Sequence, residues 1–220
     1  MNNKAWLNET DPDKLLDYLE KNGKSDPRKF RLFACARART AWNVIEDAAI
    51  HKAVELAEQF ADGHIDRKKL NAAERKADKA KLARLGTKIT AGFLANSAGV
   101  STAQLSDYGA ATMVASNIQQ VAALKSPKEE EAERIRQCEC LRCLFGNPFR
   151  PVKLNRHWLS ATVLDLARTV YDERVFERMP ILADALMDAG CDSKEILQHC
   201  HGPVPHVRGC WVVDLFLGKT

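Results

Sequence analysis

The sequence predicts an all-α protein, a multi-helix bundle of antiparallel helical hairpins. Three observations lead there. Apolar residues recur at three- and four-residue intervals through most of the chain. Helix starts (Asp-Pro, Ser-Pro) and stops (Asn-Gly, Asp-Gly) punctuate it every few turns. Nowhere do apolar and polar residues alternate as a half-buried strand requires.

The first predicted helix starts at Asp11-Pro12, an N-cap followed by proline where its missing N–H costs nothing. Leu15, Leu16 and Leu19 form its stripe, and Asn22-Gly23 stops it. Asp26-Pro27 repeats the signal, and Phe30, Phe33, Ala34, Ala38, Ala41, Trp42 and Ile45 make the next core face. Arg28, Lys29, Arg31, Arg37 and Arg39 fall elsewhere on that circumference. A third helix runs from about Asp47 to Asp62-Gly63, with Val54, Ala57, Phe60 and Ala61 inward. Three helices on short turns pack as antiparallel hairpins.

From 66 to 88 the composition becomes basic. Arg67, Lys68, Lys69, Arg75, Lys76, Lys79, Lys81, Arg84 and Lys88 face only Glu74 and Asp78 after the Asp66 cap, around a thin stripe of Leu70, Ala73, Ala77 and Ala80. This reads as a long exposed helix. Segment 87–124 is poor in charge and rich in small residues. Leu105, Tyr108, Thr112, Ala115, Ile118 and Ala122 fit one helix there, Gly92 and Gly99 suggest breaks, and Ser101 suggests a cap. Ser126-Pro127 starts a helix that ends at Phe145-Gly146, followed by the extended connector GNPFRPV. Ser160, Pro180 and Asp192-Ser193 open three further helices, and Pro205 to Gly218 reads as a final apolar one. The expected division is an N-terminal bundle over 1–125, carrying the basic helix, and a C-terminal helical unit over 126–220.

At 220 residues the chain can bury a sizeable core as one large or two small domains. Hydrophobic content of 45% with 28% charge is ordinary for a globular protein. The net charge of +4 permits an acidic partner without requiring one. No apolar run approaches the ~20 residues of a membrane span. The opening MNNKAWLNETDPDK lacks the apolar core of a signal peptide, so the expected compartment is the cytoplasm, with no membrane partner. Thiols stay reduced there, and seven cysteines at irregular spacing do not form a disulfide framework. Each is core filler, metal ligand or reactive thiol.

FGNPFRPV (145–152), YDERVFERMPILADALMDAGC (171–191) and HCHGPVPHVRGCWVVDLFLGK (199–219) resemble a bacterial family that occurs as many paralogues within one genome. RLFACARARTAW and AVELAEQFADG look like its opening segments; roughly 66–125 lies outside the resemblance. These motifs name a family and carry no activity, so the resemblance transfers no functional residue.

Chemistry concentrates in the tail, 190–217. On a helix from Pro205, His206, Cys210 and Asp214 would stand at i, i+4 and i+8, and His199 and Cys200 would reach that stripe from the preceding helix end. His199, Cys200, His206 and Cys210 are therefore candidate zinc ligands. Equally, a histidine beside a cysteine could activate the thiol, with Asp214 or Asp184 orienting the ring. The competing structural reading is burial under Trp211, Val212, Val213, Leu215 and Phe216, with each cysteine acting as a small hydrophobe. Cys138, Cys140 and Cys143 form a CxCxxC inside a predicted helix. Core packing beside Leu141, Leu144 and Phe145 is its plain reading, with joint zinc binding to the tail histidines left open. Arg208, alone in an apolar segment, is expected to pin the unit by pairing with Asp184 or Asp188 beside Trp211. Asp172, Glu173, Arg174, Glu177 and Arg178 read as surface ion pairs. No glycine-rich phosphate loop, nucleophile elbow or HExxH occurs.

Composition and motifs together suggest a non-enzymatic helical interaction or adaptor protein whose partner is another protein. Two alternatives stand beside it. Nucleic acid could bind through Arg67, Lys68, Lys69, Arg75, Lys76, Lys79, Arg84 and Lys88. A zinc- or thiol-dependent site could occupy the tail.

Overall fold

The computed structural model describes residues 1–83, 90–103, 106–203 and 205–219. It is an all-α multi-helix bundle, with twelve α-helices and no strand among the described residues. None of those helices is long and apolar enough to cross a membrane.

The chain divides into two compact units, Glu9–Cys138 and Met1–Asn8 with Glu139–Thr220. Neither 125/126 nor the GNPFRPV connector marks the division. It falls inside a helix, and the first eight residues join the C-terminal unit. That N-terminal piece, helix α1 (Asn3–Asn8), is capped by Asn2, whose Oδ1 accepts from the Ala5 N–H at 2.9 Å, but it is too short to show an apolar stripe. Its Trp6 is fully buried and donates its indole N–H to Gly146 O, while Arg142 donates to Trp6 O. A single buried aromatic fixes its membership.

The larger unit holds α2 (Pro12–Lys21), α3 (Pro27–Arg39), α4 (Ala48–Ala61), α5 (Arg67–Leu82), α6 (Ala91–Ser101), α7 (Asp107–Ala123) and the start of α8 (Pro127–Phe145). Asp11, Asp26, Asp47 and Asp66 each accept a backbone N–H at a helix start, as their positions before proline or an apolar stripe predict. The α3 stripe ends earlier than its spacing suggests: Arg39 closes the helix, and Trp42–Val44 form a 3₁₀ turn. In the small-residue segment, α6 runs unbroken through Gly92 and Gly99, and Ser101 is its last residue rather than a cap. Gly99 is there for packing: a Cβ at that position would stand 2.4 Å from Ile50 Cγ2 of α4. Ser106 caps α7 instead; Leu105 lies outside the described residues.

The arginines of α3 are structural. Arg31 is fully buried, pairs with Asp107 and donates to Thr102 O. Arg37 meets Glu133 at 2.6 Å with both side chains buried, and Arg39 grips Glu58 with two N–H groups at 2.7 and 2.8 Å. A buried guanidinium needs a carboxylate or carbonyl to offset its charge, and each of these has one.

The smaller unit adds the end of α8, α9 (Ala161–Glu173), α10 (Met179–Asp188), α11 (Lys194–His201) and α12 (Trp211–Leu217) around a core that includes Val163, Val170, Tyr171, Leu182, Leu186, Ile196 and Val213. Ser160 and Ser193 cap α9 and α11 as predicted. The final helix is shorter than expected. Pro205 to Gly209 is not helical, because Gly209 sits at φ +88 in a turn closed by the Cys210 N–H donating to Val207 O. The i, i+4, i+8 stripe of His206, Cys210 and Asp214 therefore does not exist.

Candidate metal centre

Three segments of the smaller unit converge. The last turn of α8 brings Cys143, the last turn of α11 brings His199, and the irregular 205–210 segment brings His206 and Cys210. One donor atom from each of these four lies within 4.8 Å of every other. His199 Nε2 stands 3.2 Å from Cys210 Sγ, and His206 Nδ1 stands 3.8 Å from both sulfurs.

Local sequence explains each placement. Gly146, at φ +65, terminates α8 just after Cys143, and a Cβ there would meet the Trp211 ring at 3.2 Å. Trp211 is thus seated on bare glycine backbone, its ring 5.4 Å from that of His199. Gly209 turns the chain so that Cys210 opens α12 pointing back toward His206.

The electrostatics push the two thiols in opposite directions. Burial raises the Cys210 thiol, but the hydrogen bond from Cys143 and the charge and hydrogen bond of His199 outweigh it, so Cys210 is held well below an ordinary thiol. Cys143 is pushed up, first by its hydrogen bond to Cys210 and then by burial, while a backbone hydrogen bond from Val207 opposes the rise. His206 Nε2 is buried without a hydrogen-bond partner among the described residues.

These donors fit zinc. Zn–S near 2.3 Å and Zn–N near 2.0 Å in a tetrahedron place ligand atoms about 3.3–3.8 Å apart. Three of the six donor separations, 3.2, 3.8 and 3.8 Å, lie at or near that range, and the others fall within 4.8 Å, so a bound ion would draw the donors slightly inward. Two sulfurs and two imidazoles are a complete tetrahedral set, with no protein position left open for substrate.

No protein-family model, curated protein or solved structure matches this chain. The chemistry is read from the cluster itself.

The sequence-predicted ligands His199, His206 and Cys210 come together; Cys200 does not. On α11 it follows Ile196 by one turn, both are buried in the apolar core, and burial pushes its thiol up. Cys143 takes the fourth position. Cys138 and Cys140 are buried elsewhere on α8, and His201 is exposed. The CxCxxC marked Cys143 as one of three candidates to join the tail histidines, but spacing could not choose it over Cys138 and Cys140, because its partner His206 is 63 positions away. The thiol-nucleophile arrangement loses its premise, since Cys210 is fully buried. Arg208 lies 4.3 Å over the Tyr171 ring and donates to Tyr171 O, while Asp184 and Asp188 are exposed on α10.

Of the predicted cationic residues, Lys68, Lys69, Arg75, Lys76 and Lys79 are exposed on α5. Arg67 instead lies 4.1 Å over the Phe60 ring. Arg84 and Lys88 are outside the described residues.

Proposed function

We propose that this chain is a non-enzymatic helical interaction module whose C-terminal unit is organised by one structural zinc ion held by Cys143, His199, His206 and Cys210. The observation that supports the reading is the convergence of four N and S donors from three segments, all within 4.8 Å of one another. A closed Cys₂His₂ set contributes folding energy and leaves no site for a substrate water, which favours a structural ion over a catalytic one. The ion would tie the ends of α8 and α11 to the segment before α12. Such a centre needs reduced thiols, which agrees with a cytoplasmic setting.

Titration of the metal-free full chain with Co²⁺ tests this reading. The expected result is one equivalent bound, with the intense visible bands of tetrahedral thiolate coordination, lost in Cys143→Ser and Cys210→Ser and retained in Cys200→Ala. A spectrum of six-coordinate, oxygen-ligated cobalt, or binding that survives both serine variants, contradicts it.

A further inference from the structure

We propose that the outer face of α5 binds the phosphate backbone of a nucleic-acid duplex. The argument is geometric. At 100° per residue, Lys68, Lys69, Arg75, Lys76 and Lys79 fall within an arc of about 120° around the helix. Ala72 is the other α5 residue on that arc, too short to hold a backbone away. Both carboxylates, Glu74 and Asp78, lie outside it, and Asp78 is engaged by Lys81 at 3.4 Å. Leu70, Ala73 and Ala77 on the opposite face are buried in the core. All five side chains are exposed, and none makes an ion pair or a side-chain hydrogen bond among the described residues; Lys69 engages Asp66 only through its backbone N–H. Cations gathered on one face and left unpaired are a surface complementary to a polyanion.

The chemistry of the arc selects among polyanions. It holds no aromatic residue to stack on unpaired bases, which disfavours single strands. A helix that lies in a membrane interface needs a free apolar face; here that face is spent on the protein core. Lys68 to Lys79 spans about 16 Å of helix axis, and a duplex carries one phosphate per about 1.7 Å, so several phosphates come within reach. Five contacts would give a log–log salt slope of about −4.5, or roughly 500-fold weaker binding at 200 mM than at 50 mM salt. This surface names the partner class of the interaction module. It belongs to the Glu9–Cys138 unit and does not depend on the metal centre, so chelated protein should bind equally well.

The test compares the full chain, K68Q/R75Q/K79Q and K24Q/K125Q/K128Q by fluorescence anisotropy. The second triple removes the same charge from exposed lysines outside α5. Probes are mixed-sequence duplex DNA, duplex RNA, one single strand, polyglutamate and anionic phospholipid vesicles, each across a salt series. Glutamine keeps the helix, which circular dichroism verifies. The expected result is duplex binding weakened more than tenfold by the α5 triple, with a slope shallower by about 2.7, and changed less than twofold by the control triple. The DNA and RNA arms separate the two duplex forms. No duplex binding at low salt, equal losses from both triples, or vesicles or polyglutamate bound as tightly as duplex would overturn the proposal.

Discussion

Cysteine 143 carries more of the account than any other residue, and it shows what single side chains decide. His199, His206 and Cys210 were readable as metal-ligating types crowded into one tail segment. The fourth donor was readable only as one of three cysteines in the CxCxxC, because a contact across 63 positions does not show which of them faces the tail. Cys200 looked equivalent to its neighbours in sequence, yet one helical step turns it into the core beside Ile196. Replacing Cys143 or Cys210 by serine should cost zinc affinity by orders of magnitude, whereas Cys200→Ala should leave zinc stoichiometry at the wild-type value, read by metal analysis. Glu133→Ala should destabilise the larger unit by about 3–5 kcal/mol in urea unfolding, because it strands the Arg37 guanidinium in the interior. Tyr108 supplies a pH test. Burial first, then its 2.6 Å hydrogen bond to Asp17, raises its hydroxyl to about 12. The folded state thus prefers the neutral phenol. That stabilisation is complete below the unfolded value near 10 and is lost as pH rises from about 10 to 12. Over that window the thermal midpoint of Tyr108→Phe should fall less steeply than that of the wild type.

At the scale of elements, start signals were the most legible feature. Each Asp-Pro or Ser-Pro pair opens a helix, since an Asp or Ser oxygen satisfies an otherwise orphaned N–H. Stops and interiors were less legible, because glycine has two uses. Gly23, Gly63, Gly146 and Gly190 end helices at positive φ, as the sequence suggests. Gly99 instead lies mid-helix, where it lets α6 approach α4, and composition alone cannot distinguish the two roles. Gly99→Ala should destabilise by about 1–3 kcal/mol through overpacking against Ile50, measured by chemical denaturation. The last helix shows the same limit. Its apolar run reads as helical from Pro205, but the Gly209 turn delays it to Trp211, and that delay aims Cys210 at the histidines. The α3 arginines show another: a helix face with basic residues is ordinarily solvated, and only long-range carboxylates such as Glu133 and Asp107 make burial tolerable.

For the whole molecule, the all-α class followed from periodicity, whereas the division into units did not. GNPFRPV, with its two prolines, looked like a boundary, but the division falls inside α8, a continuous helix whose sequence changes there from charged (127–137) to Cys- and Leu-rich (138–145) with no break in the helix. Trp6 likewise assigns the first helix to the unit made by the far end of the chain. The zinc reading is a claim about this level of organisation, since the donors come from α8, α11 and the segment before α12. Ligands so separated form a site only in the folded unit, so metal binding and folding are coupled. The most direct measurement is native mass spectrometry of the full chain purified under reducing conditions. The account predicts a mass increment of one zinc per chain that chelator removes and Cys210→Ser lacks. A chain that stays metal-free in equimolar zinc while remaining folded would contradict it.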